Sequence, residues 1–214
     1  MPARLFPLFL KLERRSCVVI GAGVIAASKV VALLEAGARV TVIAPGAIDD
    51  VRKLAKEGKI QWHAREFKAD DLAGAFLVIA ATGNANLNQA VFGEAQMRGI
   101  LCNAVDDPVR CDFYFPAVVR RGDLQIAVST SGQSPALAQR IRRELDEAID
   151  ESMGDRVRQI GELRRQIMAN EPPSQERKQR LLNLADSEEF EFNFRGTGKL
   201  RSGRLKLVRT ESKL

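Results

Sequence analysis

A glycine turn constrains this chain more than any other feature. Gly21-Ala22-Gly23-Val24-Ile25-Ala26 fits the spacing G-x-G-x-x-G/A. It stands directly between a short β-branched run at 16–20, SCVVI, and a helix-patterned run at 24–35. Each small residue has a distinct use in a strand–turn–helix unit. Gly21 permits the tight turn, Gly23 lets a pyrophosphate approach the backbone, and Ala26 lets the helix pack on the strand. The helix N-terminus then offers unpaired N–H groups and partial positive charge to an anion. A tight βα turn without a ligand is the plainer alternative, and the motif alone does not exclude it.

The following ninety or so residues repeat the alternation. Strand-like runs occupy 38–44, 60–67, 75–82 and 100–105, and helix-like runs occupy 48–57 and 86–99, with Gly37 and Gly58 as stops. Near-continuous apolar strands alternating with helices predict a parallel sheet covered on both faces, hence an α/β, doubly wound, Rossmann-type fold. Ligands in such sheets lie beyond the carboxyl ends of the strands, here the loops after Ile20, Ala80 and Val105. The third run, 60–67, has the mixed character of a sheet edge.

The pattern changes after Asp112. FYFPAVVRR and DLQIAVST flank a turn with Gly122 and predict a hairpin outside the parallel sheet. Ser134 and Pro135 form a helix start, with a helix expected to run to about Met153. Two more helical stretches follow at 156–170 and 174–186. The expected organisation is a cofactor domain at 1–112, a dimerisation segment with a small hairpin at 113–146, a C-terminal helical domain at 147–191 and a basic tail at 192–214.

Composition excludes several classes. No run of about 18 apolar residues exists, so no membrane span or membrane partner is expected. Charges within the first fifteen residues argue for folded chain over a signal peptide. Cys17, Cys102 and Cys111 form no C-x-x-C pair and read as thiols of a protein in the reducing cytoplasm. The net charge of +6 is carried by 192–214, which holds seven Lys/Arg and one acid; the remaining 26 bases and 26 acids balance. Basicity confined to a tail gives no reason to expect a nucleic-acid partner.

Candidate chemistry lies at the strand ends. A dinucleotide-binding second strand often ends in an acid that holds the ribose hydroxyls. Here the tip reads Ile43-Ala44-Pro45-Gly46, and Arg39 lies at the other end of the strand. The strand tip therefore does not choose between NAD and NADP. Asp106, in Asn103-Ala104-Val105-Asp106-Asp107-Pro108, is placed to accept a proton near a bound nicotinamide; the plainer reading is that Asp106 or Asp107 caps a turn. His63, the single histidine, is expected away from these loops, which disfavours histidine acid–base chemistry and histidine metal sites. Residues 130–134 form a polar loop that suits either carboxylate binding or a simple helix cap. Tyr114 has Val118 four residues on, so no Tyr-Lys dehydrogenase pair is present.

Taken in order, these segments resemble precorrin-2 dehydrogenase, a family found alone or as the N-terminal half of sirohaem synthase. The resemblance covers about 3–150. Its markers are Leu5-Phe6-Pro7-Leu8-Phe9, VVIGAG with Lys29 following, GARVTVIAP, IAAT before LNQ, LCNAVDDP, and FPAVVRRGDLQIAVSTSGQSPALA. It departs at 24–28, where the family more often has a polar or arginine-bearing version. The resemblance implies a stand-alone form without the methyltransferase half. It implies a homodimer interlocked through about 113–146, NAD+ as oxidant, precorrin-2 as substrate and sirohydrochlorin as product, with Fe2+ inserted into the product by some members. Carried over, Asp106 is catalytic; Gly23, Val24, Ile25, Pro45 and Gly46 contact the cofactor beside the motif's Gly21, with Thr82 nearby. Ser129, Thr130 and Ser131 form the substrate-loop region, and no resident metal site is implied. Arg14, Arg15, Lys29, Arg110, Arg120, Arg121, Arg140, Arg142 and Arg143 are candidate partners for the substrate's carboxylates, with long-range attraction from the basic tail. An NAD-sensing regulatory module without catalysis is the competing class.

Overall fold

The computed structural model describes residues 5–186. The chain folds as two compact units, one ending at Phe115 and one beginning at Pro116.

The first unit is a five-stranded parallel sheet. Its elements run β1 (Ser16–Ile20), α1 (Val24–Glu35), β2 (Arg39–Ile43), α2 (Asp49–Lys56), β3 (Gln61–His63), β4 (Leu77–Ala80), α3 (Ala85–Arg98) and β5 (Leu101–Ala104). The strand order is β3-β2-β1-β4-β5. The order reverses between β1 and β4, which opens a crevice at their carboxyl ends. Alternation along β1 feeds two cores. Cys17 and Val19 pack with α1 residues Ala26, Val30 and Leu33, whereas Val18 and Ile20 pack with α3 residues Val91 and Ala95. This double burial is the doubly wound arrangement expected from the apolar strands.

β3 is shorter than its pattern suggested. It stops at His63 because the Arg65 amide turns back to the His63 carbonyl at 2.9 Å, so 64–67 is loop. His63 also lies nearer the ligand edge than expected. It pairs with Ile43, the last residue of β2, although its exposed side chain does not line the cleft. Cys17 and Cys102 are fully buried, and burial pushes their thiols up to about 11 and about 12. After β5, Asp112 accepts from the Cys102 amide at 2.9 Å and buried Asn103 donates to the Phe113 carbonyl at 2.7 Å. These bonds stitch 111–113 back onto β5.

The second unit has the antiparallel hairpin β6 (Ala117–Arg121) and β7 (Leu124–Val128), then α4 (Pro135–Ala148), α5 (Met153–Asn170) and α6 (Gln175–Asp186). Ser134 caps α4, its hydroxyl accepting from the Leu137 amide at 3.3 Å with proline at the first helical position. The helix expected to reach Met153 ends at Ala148. Buried Arg121 explains this: it donates to the Ile149 carbonyl at 3.0 Å and the Asp146 carbonyl at 2.6 Å, taking up orphan acceptors at the helix end. Gly154 lies in the first turn of α5, where a Cβ would meet the Arg121 carbonyl oxygen at 2.9 Å. The backbones of the hairpin and α5 therefore touch. The basic tail expected at 192–214 lies outside the described residues.

Candidate functional site

A cleft of about 570 Å³ opens at the carboxyl edge of the parallel sheet. Three neighbouring strand ends build it: Ile20 to Gly23 after β1, Ile43 to Gly46 after β2, and Ala81 to Asn84 after β4. Glu66 and Phe67 after β3, with Leu87 of α3, complete the wall.

The glycine turn meets the requirements of a dinucleotide. Gly21 has φ +105, and a Cβ there would lie 2.3 Å from the Ala81 carbonyl oxygen. No other residue fits between β1 and β4 at this point. Gly23 faces open space: a Cβ at this position would meet nothing within 4 Å. It holds the N-cap position of α1 without a side-chain cap, and the first turn carries no acid. Gly23 brings the N-terminal end of α1 to the cleft with its dipole uncompensated, which suits a pyrophosphate, whereas Val24 and Ile25 do not line the cleft. Val24 and Ile25 stand in this first turn, 77% and 49% exposed. Pro45 and Gly46 line the cleft from β2.

Thr82 also lines the cleft, but its hydroxyl is engaged. It donates to Asn88 Oδ1 at 2.6 Å and accepts from the Asn84 amide at 3.2 Å. Asn84 in turn caps α3, accepting from the Asn86 and Leu87 amides. Thr82 therefore belongs to the α3 cap as much as to the cleft.

Asp106 lies on the loop after β5, outside the lining of this cleft. It is exposed, with φ +62, a left-handed conformation uncommon outside glycine. Bonds on both sides hold it there: the Val105 amide to the Ala80 carbonyl at 2.9 Å and the Asp107 amide to the Ala104 carbonyl at 3.2 Å. The two aspartates differ in their surroundings, and neither caps the following turn with its side chain. Asp107 precedes the turn at Pro108 and pairs with Arg110. No hydrogen bond or ion pair ties down the Asp106 carboxylate among the described residues. Its charged neighbour is Lys29 of α1, whose Nζ sits 4.0 Å from the Phe115 ring centroid. Burial pulls the Lys29 ammonium below the ordinary lysine value, and Asp106 partly offsets this.

Ser129, Thr130 and Ser131 belong to the second unit. The Ser129 hydroxyl accepts from the Ser131 amide and the Thr130 hydroxyl from the Ser134 amide, both at 3.1 Å. Ser131 has φ +52. Several candidate cations are already engaged: Arg15 over Phe76, Arg110 with Asp107, Arg121 and Arg142 with Asp146, and Arg140 with Glu144. Glu66 was missed from sequence, where 60–67 read as one strand. The available signal was the shared carboxyl edge of parallel neighbours β2 and β3.

The family described as "Putative NAD(P)-binding" matches residues 8–117, more than half of the chain. The chain belongs to this NAD(P)-binding family. A second family, described as "Sirohaem biosynthesis protein central", matches residues 121–148. In chain order the two matches follow the segments whose motifs resemble precorrin-2 dehydrogenase. Siroheme synthase 1 of Serratia proteamaculans (strain 568) is 41% identical over 161 residues, covering 75% of this chain and 34% of the relative. The siroheme synthase of Photorhabdus laumondii is 36% identical over 184 residues, covering 86% and 37%. The chain thus spans about a third of the length of these curated relatives. Among solved structures, SirC, a precorrin-2 dehydrogenase, superposes with a TM-score of 0.71 at 27% identity, covering 87% of this chain and 92% of that one. No helix among the described residues is long and apolar enough to cross a membrane.

Proposed function

We propose that this chain is an NAD-dependent dehydrogenase that oxidises precorrin-2 to sirohydrochlorin, acting in the cytoplasm as a homodimer. The observation that carries the reading is the pairing of an open, uncapped α1 N-terminus with an exposed carboxylate, Asp106, held by its backbone on the same sheet edge. The similarity to SirC along nearly its whole length supports the substrate.

The overall step removes a hydride and a proton from precorrin-2 and yields sirohydrochlorin, NADH and H+. NAD+ supplies the hydride acceptor. The first-turn N–H groups of α1 and the backbone at Gly23 would hold its pyrophosphate, and Ala44 to Gly46 would line its adenosine end. Asp106 takes the proton, directly or through water, with Lys29 keeping positive charge beside it. The hydroxyl groups of Ser129, Thr130 and Ser131 would offer hydrogen bonds to the substrate's carboxylates. Among the described residues no cluster of His, Cys, Asp and Glu could hold a metal ion. Fe2+ would be a substrate inserted into sirohydrochlorin, the two displaced pyrrole protons passing one at a time through the Asp106 carboxylate to solvent.

Anaerobic incubation of the full chain with precorrin-2 and NAD+ should produce NADH. The Asp106→Asn variant should lose about 10²–10⁴-fold in turnover, the range for a positioned general base, with unchanged NAD+ affinity. Retained turnover would remove Asp106 from the mechanism. NAD+ binding without NADH formation by the unaltered chain would favour the sensing module. Adding Fe2+ to sirohydrochlorin tests insertion separately, and light scattering tests the dimer.

A further inference from the structure

The tip of β2 lacks the acid that usually holds the adenosine ribose, yet the cleft wall beside it carries a carboxylate. β2 and β3 run parallel, with Ile43 opposite His63, so their loops leave the sheet side by side. The Ala44 amide bonds the His63 carbonyl at 3.2 Å, and Trp62 Nε1 donates to the Ala44 carbonyl at 3.1 Å. Three residues beyond His63, Glu66 lines the same cleft as Ala44, Pro45 and Gly46.

The loop that presents Glu66 is fastened. Arg65 forms a two-pronged pair with Asp71, at 2.8 Å to Oδ2 and 2.5 Å to Oδ1. The same guanidinium donates to the Glu66 carbonyl at 3.0 Å, and the Lys68 amide donates to Asp71 Oδ2 at 2.8 Å. Arg65 holds the Asp71 carboxyl below its usual value, so the pair persists at neutral pH. The Glu66 side chain is exposed and has no side-chain partner among the described residues. Neither Arg65 nor Lys68 lines the cleft.

We propose that Glu66 replaces the missing second-strand acid: its carboxylate accepts the adenosine ribose hydroxyls and thereby selects NAD over its 2′-phosphorylated form. A carboxylate only accepts hydrogen bonds, and a vicinal diol offers two O–H donors, so the pair is complementary. A 2′-phosphate brings negative charge against Glu66, and the guanidinium of the adjacent Arg65 is engaged by Asp71 and lies outside the cleft lining. The assignment rests on the dinucleotide reading of the cleft and adds the residue that discriminates within it.

The test is calorimetric titration of the full chain with NAD+, NADP+ and 2′-deoxy-NAD+. The unaltered chain should bind NAD+ about tenfold or more tightly than either analogue, the scale of a lost charge-assisted hydrogen bond. In Glu66→Gln the NAD+ affinity should fall about tenfold and the penalty for the missing 2′-hydroxyl should shrink to about twofold or less. In Glu66→Arg the preference should turn toward NADP+. The same NAD+ to 2′-deoxy-NAD+ ratio in Glu66→Gln as in the unaltered chain would overturn the assignment and leave the cofactor reading standing. Preference of the unaltered chain for NADP+ would also overturn it. An unaltered chain that binds none of the three would overturn the cofactor reading itself.

Discussion

Two helices begin at the same edge of the parallel sheet and treat their first turns in opposite ways. At α3, Asn84 accepts from two backbone amides and Thr82 braces Asn84 through a further bond. At α1, Gly23 occupies the corresponding position with no side chain, no cap and no acid in the first turn. α3 is stabilised from within; α1 is left with orphan donors and lower intrinsic stability. An unsatisfied helix end at the switch point of a doubly wound sheet is a feature a ligand completes. The difference separates a structural turn from a binding turn within one unit.

The largest effect should come from making α1 resemble α3. Gly23→Asp places a carboxylate at the open N-cap, where the backbone tolerates it because nothing lies within 4 Å. It should stabilise the free protein by about 0.5 kcal/mol in denaturant titration. The same charge repels a pyrophosphate by about 4 kcal/mol at short range, so NAD+ affinity should fall by about two to three orders of magnitude. Tight NAD+ binding by this variant would show that α1 is not the phosphate site. Next in size is Gly21→Ala. The clash with the Ala81 carbonyl and the strain of φ +105 should together cost about 3 kcal/mol or more of stability, read as a lowered unfolding midpoint. The smallest is Asn84→Ala, which should cost about 1 kcal/mol of stability and leave NAD+ affinity within about twofold. A large affinity loss in Asn84→Ala would mean that α3, too, contacts the ligand.

The strands were legible because their burial is written into the chain. β1, β4 and β5 are shielded on both faces and read as near-continuous apolar runs, broken in β5 by Asn103, so their limits fall within two residues of those expected. β3, at the edge, has no such signature, and its end is set by a turn at Arg65. The end of α4 was not legible for another reason. Residues 149–153 remain compatible with helix by local pattern, and the stop comes from Arg121, 28 residues upstream of Ile149. At the cleft, the glycine turn announced itself by spacing. Glu66 did not, because its position depends on which strand lies beside β2, a fact of sheet order that no local motif carries. That Asp107 is paired while Asp106 is not likewise appears only once Arg110 is seen to take Asp107.

Trp62 gives the cleft one further property. It is the chain's single tryptophan, and its indole N–H is bonded to the carbonyl of Ala44, a residue of the cleft wall. Tryptophan emission from this protein is therefore a one-site signal originating beside the cleft wall at Ala44. Filling or emptying the cleft changes the surroundings of that fluorophore alone, so occupancy can be followed optically with no label attached.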